Sequence, residues 1–412
     1  MKIVYIILFA ALCSFSVQAQ EFEVGLELRP RFEYRDGFKT PLTADQNPAS
    51  FISQRSRMYG LWRDDKIQAK VSFQNIRTWG DVPTTTTIDK NAIMLHEAWA
   101  SYQISSHLSV KAGRQVISYD NQRIFGGLDW AQQGQSHDAL LFAITANHQQ
   151  LDIGIAVNAA EEVLFNSPYA VANYKNMQYA WYHNDLNKLK FSLLAINNGY
   201  NNEDNKTQYL QTYGTDINYS LGRKTNLHIA AYGQSGERND KNVAAYNANI
   251  DLSQQLHSNW KIGLGYELLS GTDQNSSSNT NKSFTPLFGT NHLFNGFMDY
   301  FYAGNHQNSV GLKDSYLKVE YIKEKLNILL SPHLFYASGN ILDKEGHLKG
   351  NNLGHEWDLQ ASYQVHPSVK VTGGYSHLFG TSSMEALKGS NADHNNWAWL
   401  MFSFQPKKIF TK

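Results

Sequence analysis

Residues 22–35 alternate almost without exception between apolar and charged side chains. The even positions are Phe, Val, Leu, Leu, Pro, Phe and Tyr, and the odd positions are Glu, Gly, Glu, Arg, Arg, Glu and Arg. Because successive side chains of a β-strand point to opposite faces, this pattern predicts a strand with one apolar and one charged face. Strands of soluble sheets usually have about five or six residues, whereas a tilted membrane-spanning strand needs about 9–11. The segment therefore favours a membrane barrel wall, with Pro30 expected at a bulge or a strained ladder position.

Less regular alternation continues along the chain and predicts eighteen strands in all. Beyond 22–35 they are expected near 51–62, 66–77, 92–104, 108–118, 136–146, 150–158, 176–183, 188–197, 207–219, 225–234, 242–252, 259–270, 309–321, 325–337, 353–363, 368–379 and 396–404. Short connections, such as 105–107 and 323–324, alternate with longer polar ones, such as 119–135 and 271–308. Bacterial outer-membrane barrels have even strand numbers, short periplasmic turns and longer extracellular loops. The pattern predicts an all-β protein, a transmembrane antiparallel β-barrel of the outer-membrane type with both termini periplasmic.

Composition and the N-terminus agree with an exported barrel of a Gram-negative bacterium. Only 17% of residues are charged and 13% are aromatic, and the mean hydropathy of -0.46 argues against a bundle of membrane helices. Lys2, the apolar run 3–12 and the small Ala19 predict a signal peptide over residues 1–19, since an anchor helix would need a longer apolar run. Residues 20–412 then form a single barrel domain. Its freedom from cysteine excludes disulfides and thiolate chemistry, and the equal numbers of basic and acidic residues, 36 each, suggest no nucleic-acid partner.

A barrel of this size has room for a channel, because 16–18 strands enclose an aqueous lumen. The first strand follows the leader within a few residues, so we expect no plug domain and an open lumen unless long loops fold into it. The largest loop, 271–308, has an aromatic second part, 284–302, which contains Phe294, Phe297 and Asp299. We predict that this part folds over or into the mouth and gates it.

Arginine is concentrated near the N-terminus. Nine of eleven arginines lie within residues 29–123, where Lys and Arg number fourteen against nine Asp and Glu. Guanidinium groups bind carboxylates bidentately, so arginines facing the lumen would form a path for anions, interrupted by acidic residues. Alternation predicts such a path from Arg29, Arg31, Arg35, Arg55 and Arg57, with Glu27, Glu33 and Glu97 between them. The alternative is that the arginines pair with glutamates and brace the wall, and both roles can coexist.

Several segments resemble the alginate-export outer-membrane proteins. These are residues 113–119, 123–126, 129–130 and 134–139, together with 29–35 and 293–299. The likeness covers essentially the whole mature chain, and the block 113–139 is its most specific part. It implies an 18-strand barrel that passes an anionic uronate polysaccharide through an Arg-lined pore, with matching basic positions at Arg29, Arg31, Arg55, Arg57, Arg114 and Arg123. By simple alternation Arg114 shares the face of Val110 and Ala112, so it faces the lumen only if a bulge lies near Gly113.

The sequence also departs from this pattern. After Arg123 only Arg223 and Arg238 remain, so the basic arc is expected on one side of the pore. The chain continues past Phe404 to Lys412 rather than ending on an aromatic residue of the last strand. A passive barrel has no intrinsic direction, so import and export both remain open, as do the solute and the oligomeric state.

Other chemistry receives little support from the sequence. The histidines lack zinc-type spacing, the loop 201–205 is more typical of a polar turn than of a calcium site, and no nucleophile motif surrounds His137 and Asp138. We therefore expect no enzyme activity, cofactor or metal, and as partners only outer-membrane lipid and an anionic oligo- or polysaccharide. The alternatives are a general or other-solute porin, an outer-membrane enzyme using His137, Asp138 or Asp299, and a secreted β-rich carbohydrate-active protein.

Overall fold

The computed structural model describes residues 21–43, 45–86, 88–165, 173–301, 306, 309–389 and 395–411. The predicted signal peptide, 1–19, lies outside these residues. Within them, no helix has the length and apolar character of a membrane-spanning helix.

Eighteen antiparallel strands form one closed barrel, which confirms the predicted fold class. They are β1 (Glu21–Asp36), β2 (Ala49–Arg63), β3 (Ile67–Thr78), β4 (Met94–Gln103), β5 (Leu108–Gln115), β6 (His137–Ala146), β7 (Gln149–Val157), β8 (Asn176–Leu186), β9 (Leu189–Asn201), β10 (Thr207–Leu221), β11 (Thr225–Arg238), β12 (Lys241–Gln255), β13 (Trp260–Leu269), β14 (Leu312–Lys323), β15 (Leu326–Tyr336), β16 (Asn352–His366), β17 (Val369–Gly380) and β18 (Asn396–Phe404). Each strand pairs with the next along the chain, and β18 pairs with β1 to close the barrel.

Shorter elements decorate this wall. They are two-residue strands at Thr280–Asn281, Ile341–Leu342 and Leu348–Lys349, a 3-10 helix at Asn291–Leu293, a helix α1 (Ser382–Lys388) and a strand at Lys407–Thr411. The Thr381 hydroxyl accepts a hydrogen bond from the Met384 N–H and so caps α1. The terminal strand pairs with Glu21–Gly25 in the same register as β18, so the residues beyond Phe404 continue the last wall strand after Pro406.

Proline disturbs the closing seam of the barrel. Pro30 causes no bulge towards β2, because the register between β1 and β2 runs without a shift. Towards β18, however, the pairing passes from Leu28–Phe404 directly to Arg31–Met401. A proline has no N–H to donate, so the irregular ladder position expected at Pro30 lies at the seam.

The two faces of the wall differ sharply in exposure. On β1, the side chains of Phe22, Leu28 and Phe32 point outward and are each 42% exposed, whereas inward Arg29 and Glu33 are almost fully buried. An apolar outer face is what lipid contact requires. The inner face is buried because two long loops fold into the barrel.

Connection lengths alternate as predicted, with two exceptions on the long-loop side. Residues 202–206 form a short loop, and Asn239 and Asp240 form a two-residue turn with φ of 53° and 59°. Positive φ at both central positions is typical of the type I′ turn, which matches the twist of a tight hairpin.

Aromatic rings lie flat across glycines of neighbouring strands on the inner face. A Cβ atom added to Gly25, Gly154 or Gly265 would lie 2.2, 2.1 or 2.3 Å from the ring of Tyr59, Tyr179 or Tyr316, respectively. Each ring therefore requires a glycine opposite it, and the pair fixes the local register.

Candidate functional site: a lumen divided by two loops

Two loops meet inside the barrel. Loop A, residues 116–136, connects β5 to β6, and loop B, residues 270–311, connects β13 to β14. The Leu128 N–H donates to the Thr290 hydroxyl at 3.1 Å, which in turn donates to Gln122 at 2.8 Å. Loops A and B therefore pack as one unit.

Loop A is anchored at its start by Tyr119. The phenol donates to the Asp152 carboxylate on β7 at 2.8 Å, and its ring stacks on Trp181 with centroids 4.5 Å apart. Burial, with the charges of Tyr179 and Asp152 adding to it, raises the pKa of Tyr119 well above its ordinary value. The phenol therefore stays protonated and able to donate.

The inward arginines of β1 and β2 bind the tip of loop A. Arg31 donates to the Trp130 carbonyl at 2.7 Å, and its guanidinium lies 4.0 Å from the centre of the Trp130 ring. Arg29 donates to the Gln132 side chain at 3.2 Å, and Arg55 to the Gln132 carbonyl at 3.4 Å. Loop A is thus held against the wall by the guanidinium groups of two neighbouring strands.

Three carboxylates offset most of this positive charge. Arg55 contacts Glu27 at 2.8 Å and Asp129 at 2.7 Å. Glu33 lies between Arg31 at 3.0 Å and Arg35 at 2.8 Å. The predicted pairing of arginine with glutamate is therefore present. With Arg57, 3.9 Å from Glu27, five guanidinium groups face three carboxylates, so the cluster keeps a positive excess.

The arginines of this cluster differ in their access to solvent. The side chains of Arg29, Arg31 and Arg55 are 4%, 6% and 1% exposed, and that of Arg57 is 14% exposed. Arg35 is 33% exposed and lies over the rings of Phe38 and Phe51. Arg35 is therefore the member of the cluster that a solute reaches most readily.

Arg123 joins both loops to the opposite wall. Its guanidinium lies 2.8 Å from the Glu267 carboxylate on β13, donates to the Asn295 side chain at 2.9 Å and covers the Phe294 ring at 4.4 Å. The residue is only 2% exposed. It is a buried counterion of Glu267, whereas the resemblance implied a position on the pore surface.

The tip of loop B is bound by carboxylates of the wall. Asn295 donates to Glu267 at 2.8 Å and to Asp314 at 3.2 Å. The N–H groups of Phe297 and Met298 donate to Asp358 at 3.1 Å and to Glu356 at 2.8 Å. These four carboxylates, on β13, β14 and β16, are at most 1% exposed.

Gly296 and His333 complete this docking site. Gly296 has a φ of 82°, and a Cβ there would lie 2.6 Å from the Glu356 carboxylate, so only glycine fits. His333 lies 3.0 Å from Asp314 and 3.8 Å from Asp358. The acidic site was not predicted from the sequence, although Glu356 and Asp358 occupy the same face of a strand whose opposite face is largely apolar.

The segment predicted to gate the channel does lie within the barrel over its described part. Phe294 packs under Arg123, Phe297 stacks on His292 with centroids 5.4 Å apart, and Asp299 lies 2.8 Å from the His292 Nδ1. That the segment opens and closes the channel remains a prediction.

Glu97 and Arg114 lie apart from the arginine cluster. Glu97 faces the lumen, pairs with Lys70 and accepts a hydrogen bond from the Trp99 indole at 3.0 Å. Arg114 lies on the outer face, where it pairs with Asp138 at 2.7 Å. Gly113 has a φ of 117°, yet the register on both sides of β5 is continuous, so no bulge turns Arg114 inward. Its assignment to the pore is corrected accordingly.

The two faces of β6 separate His137 from Asp138, which the enzyme hypothesis considered together. His137 is buried on the inner face, where its Nδ1 lies 2.9 Å from the Tyr174 hydroxyl, whereas Asp138 is on the outer face with Arg114. They cannot act as a pair. Asp343, Glu345 and His347 could approach a metal ion from the connection between β15 and β16, but Glu345 and His347 are exposed.

Two cavities flank the meeting point of the loops. One, of about 820 Å³, reaches Lys261 and Lys370 beside the short turns. The other, of about 300 Å³, reaches Phe38 and Lys39 beside the long loops. Trp130, Thr290 and His292 line both. Side chains of loops A and B therefore lie between these two cavities, which are called the two chambers below.

Comparison with known proteins agrees with this architecture. Residues 20–398 match the family described as Alginate export. Among solved structures, the chain is similar to OccAB4 of Acinetobacter baumannii, with a TM-score of 0.65, 12% identity and coverage of 95% of this chain and 99% of that one. It is also similar to the outer-membrane protein OpdK of Pseudomonas aeruginosa, with a TM-score of 0.63, 11% identity and coverage of 94% and 99%, which has been solved with vanillate as well. No curated protein matches the chain in sequence.

Proposed function

The chain belongs to the alginate export family, and from that premise we propose that it is a passive outer-membrane channel for anionic, uronate-type saccharides. Family and fold support an outer-membrane channel rather than an enzyme. The proposal adds the class of solute that passes.

The observation that supports this solute class is the positive excess of the arginine cluster beside the division of the lumen. Arg35 and Lys39 line the 300 Å³ chamber, and Arg29 lines the 820 Å³ chamber. Fixed charge of one sign in a narrow, low-dielectric passage concentrates ions of the opposite sign. A uronate would thus meet a positive excess in the 300 Å³ chamber, which is lined by Arg31, Arg35 and Lys39 against Glu33 and Asp299, whereas the 820 Å³ chamber is lined by side chains of both signs.

Chamber size favours short saccharides while loops A and B are docked. Cavities of about 300–1,000 Å³ suit molecules of the size of a typical drug. An oligosaccharide can occupy one chamber and needs the side chains at the division to move, whereas a linear polymer would have to thread both chambers at once.

A channel for small carboxylates is the second candidate. OpdK, a structure with the same fold, was solved with the carboxylate vanillate. The same cationic cluster would attract such a molecule. The first candidate predicts that a uronate saccharide passes faster than a simple carboxylate, and the second predicts the reverse.

Orientation follows from the connections. Because outer-membrane barrels place short turns in the periplasm, we infer that both termini lie there and that loop B opens to the cell exterior. A tag at residues 276–279 should then be labelled on intact cells and a tag at Asp64–Asp65 only after the outer membrane is opened. Labelling at Asp64–Asp65 on intact cells would contradict this orientation.

Charge selectivity can be tested by measuring the zero-current potential of the purified barrel in a planar bilayer across a salt gradient. We expect anion preference, and Arg35→Gln should shift the potential towards zero. Molar salt should weaken the preference, because the screening length falls to about 3 Å.

Arg63→Gln provides a matched control. Its side chain is 35% exposed and paired with Glu21, much like Arg35 with Glu33, but it lies at the short-turn end of β2. The Arg63→Gln substitution should leave the zero-current potential nearly unchanged. Cation selectivity of the wild type would refute the proposed solute class. Arg31 and Arg55 are less suitable targets, because their loss would also release loop A.

A further inference from the structure

The division between the two chambers is an aromatic stack. The rings of Trp130 in loop A and His292 in loop B lie 4.3 Å apart, with 15° between their planes. Both residues border both chambers, and neither belongs to a wall strand. A solute that moves directly from one chamber to the other therefore meets these rings.

Each ring of the stack is held from behind. Arg31 covers Trp130 at 4.0 Å, and the rings of Trp397 and Trp399 meet its edge at centroid distances of 5.5 and 4.8 Å. His292 is fixed by Asp299 at 2.8 Å. To leave the stack, the imidazole must break its contact with Asp299, whereas the indole keeps its own supports.

A saccharide ring suits the face of Trp130 that is uncovered when His292 moves away. Pyranose rings have apolar faces of C–H groups, whereas their edges bear hydroxyls and carboxylate. An indole offers a large, flat apolar face with little loss of side-chain freedom. A cyclic uronate can replace His292 on Trp130 while its carboxylate approaches the cationic cluster. An open-chain anion has no comparable face to present.

We propose that the Trp130–His292 stack is the specificity-determining element of the channel and selects ring-shaped uronates over open-chain carboxylates of the same charge. This inference rests on the proposed function, since it concerns how the channel distinguishes among anions. Trp130 contacts the passing solute in this scheme, whereas Arg31, Trp397 and Trp399 position it.

The test compares two six-carbon anions, glucuronate, which forms a ring, and gluconate, which does not. Their permeability ratio is measured from zero-current potentials with glucuronate on one side of a planar bilayer and gluconate on the other. The wild type should favour glucuronate. Trp130→Ala should raise single-channel conductance, because it joins the chambers, and should abolish the preference.

Further variants separate stacking from folding and size. Trp130→Phe should retain the preference, and Trp130→Leu, which keeps apolar volume and is less disruptive than alanine, should lose it. Trp99→Ala removes a lumen tryptophan that borders neither chamber. It should change neither the single-channel conductance nor the preference for glucuronate.

The outcomes distinguish this inference from the proposed function. If the wild type prefers anions over cations but not glucuronate over gluconate, the stack has no selective role and only this inference fails. Retention of both the wild-type conductance and the glucuronate preference in folded Trp130→Leu would also overturn it. Cation selectivity of the wild type would instead remove the proposed function itself.

Discussion

At the scale of single residues, the arginines act in this structure chiefly as ties between loops and wall. A buried guanidinium is stable only when carboxylates and carbonyls replace its lost water, and Arg29, Arg31, Arg55 and Arg123 all have such partners. Arginine suits this role because its planar fork can donate to several acceptors at once. In the proposed channel, anion selectivity would then depend on the excess charge and on the more accessible Arg35.

Arg123 offers a direct test of this structural role. Arg123→Gln leaves Glu267 buried beside Asp314 without its cation, so it should destabilise the barrel by about 3–5 kcal/mol. This loss of stability is measured as a lower temperature at which half of the protein changes its mobility in electrophoresis. The control is Arg114→Gln, which breaks an exposed pair on the outer face and should cost about 0–1 kcal/mol. Equal effects of the two substitutions would contradict the assignment of Arg123 as a buried tie.

At the scale of strands, glycines and aromatic rings lock neighbouring strands together. The Tyr316 ring lies across Gly265 and is fixed in place, because its hydroxyl donates to Asp251 at 2.6 Å and accepts from Asn249 at 3.0 Å. The ring cannot turn away without losing both hydrogen bonds. The pair therefore ties β13 to β14 beside the larger chamber.

Two glycines of one strand test this lock. Gly265→Ala places a methyl group 2.3 Å from the Tyr316 ring and should destabilise the barrel by about 1–3 kcal/mol through overpacking. Gly263→Ala, two residues away on β13, meets nothing closer than 3.7 Å and should have little effect. Thermal unfolding in detergent, followed by circular dichroism, compares them. If the Gly265→Ala barrel is as stable as the Gly263→Ala barrel, the Tyr316 ring can move aside and does not lock the two strands together.

The strands of the wall could be predicted from the sequence, whereas the docking of the loops in the lumen could not, for a physical reason. Strands have a local period of two, so the alternation of 22–35 predicts β1 (Glu21–Asp36) directly. The docking of loops A and B depends instead on contacts between distant residues, such as Arg29 with Gln132, 103 positions apart, and Arg123 with Asn295, 172 apart. No local pattern encodes such contacts. For that reason, the sequence did not predict whether the arginines are buried.

At the scale of the whole molecule, the barrel has two unlike walls with loops A and B between them. The arginines that bind loop A lie on β1 and β2, and the buried carboxylates that bind loop B lie on β13, β14 and β16. Loop A binds the basic wall and loop B the acidic one. Loops A and B therefore lie between two cavities of about 820 and 300 Å³.

The most direct test of this account is the rate of osmotic swelling of liposomes that contain the purified barrel. Liposomes are placed in isosmotic solutions of the potassium salt of a uronate trisaccharide or of a neutral trisaccharide with the same number of rings. Valinomycin is present throughout, so that K⁺ can follow the anion, and liposomes without protein serve as the blank. The account predicts faster swelling in the uronate, and a smaller difference for Arg35→Gln than for Arg63→Gln. Equal or faster entry of the neutral trisaccharide would contradict a channel for anionic saccharides.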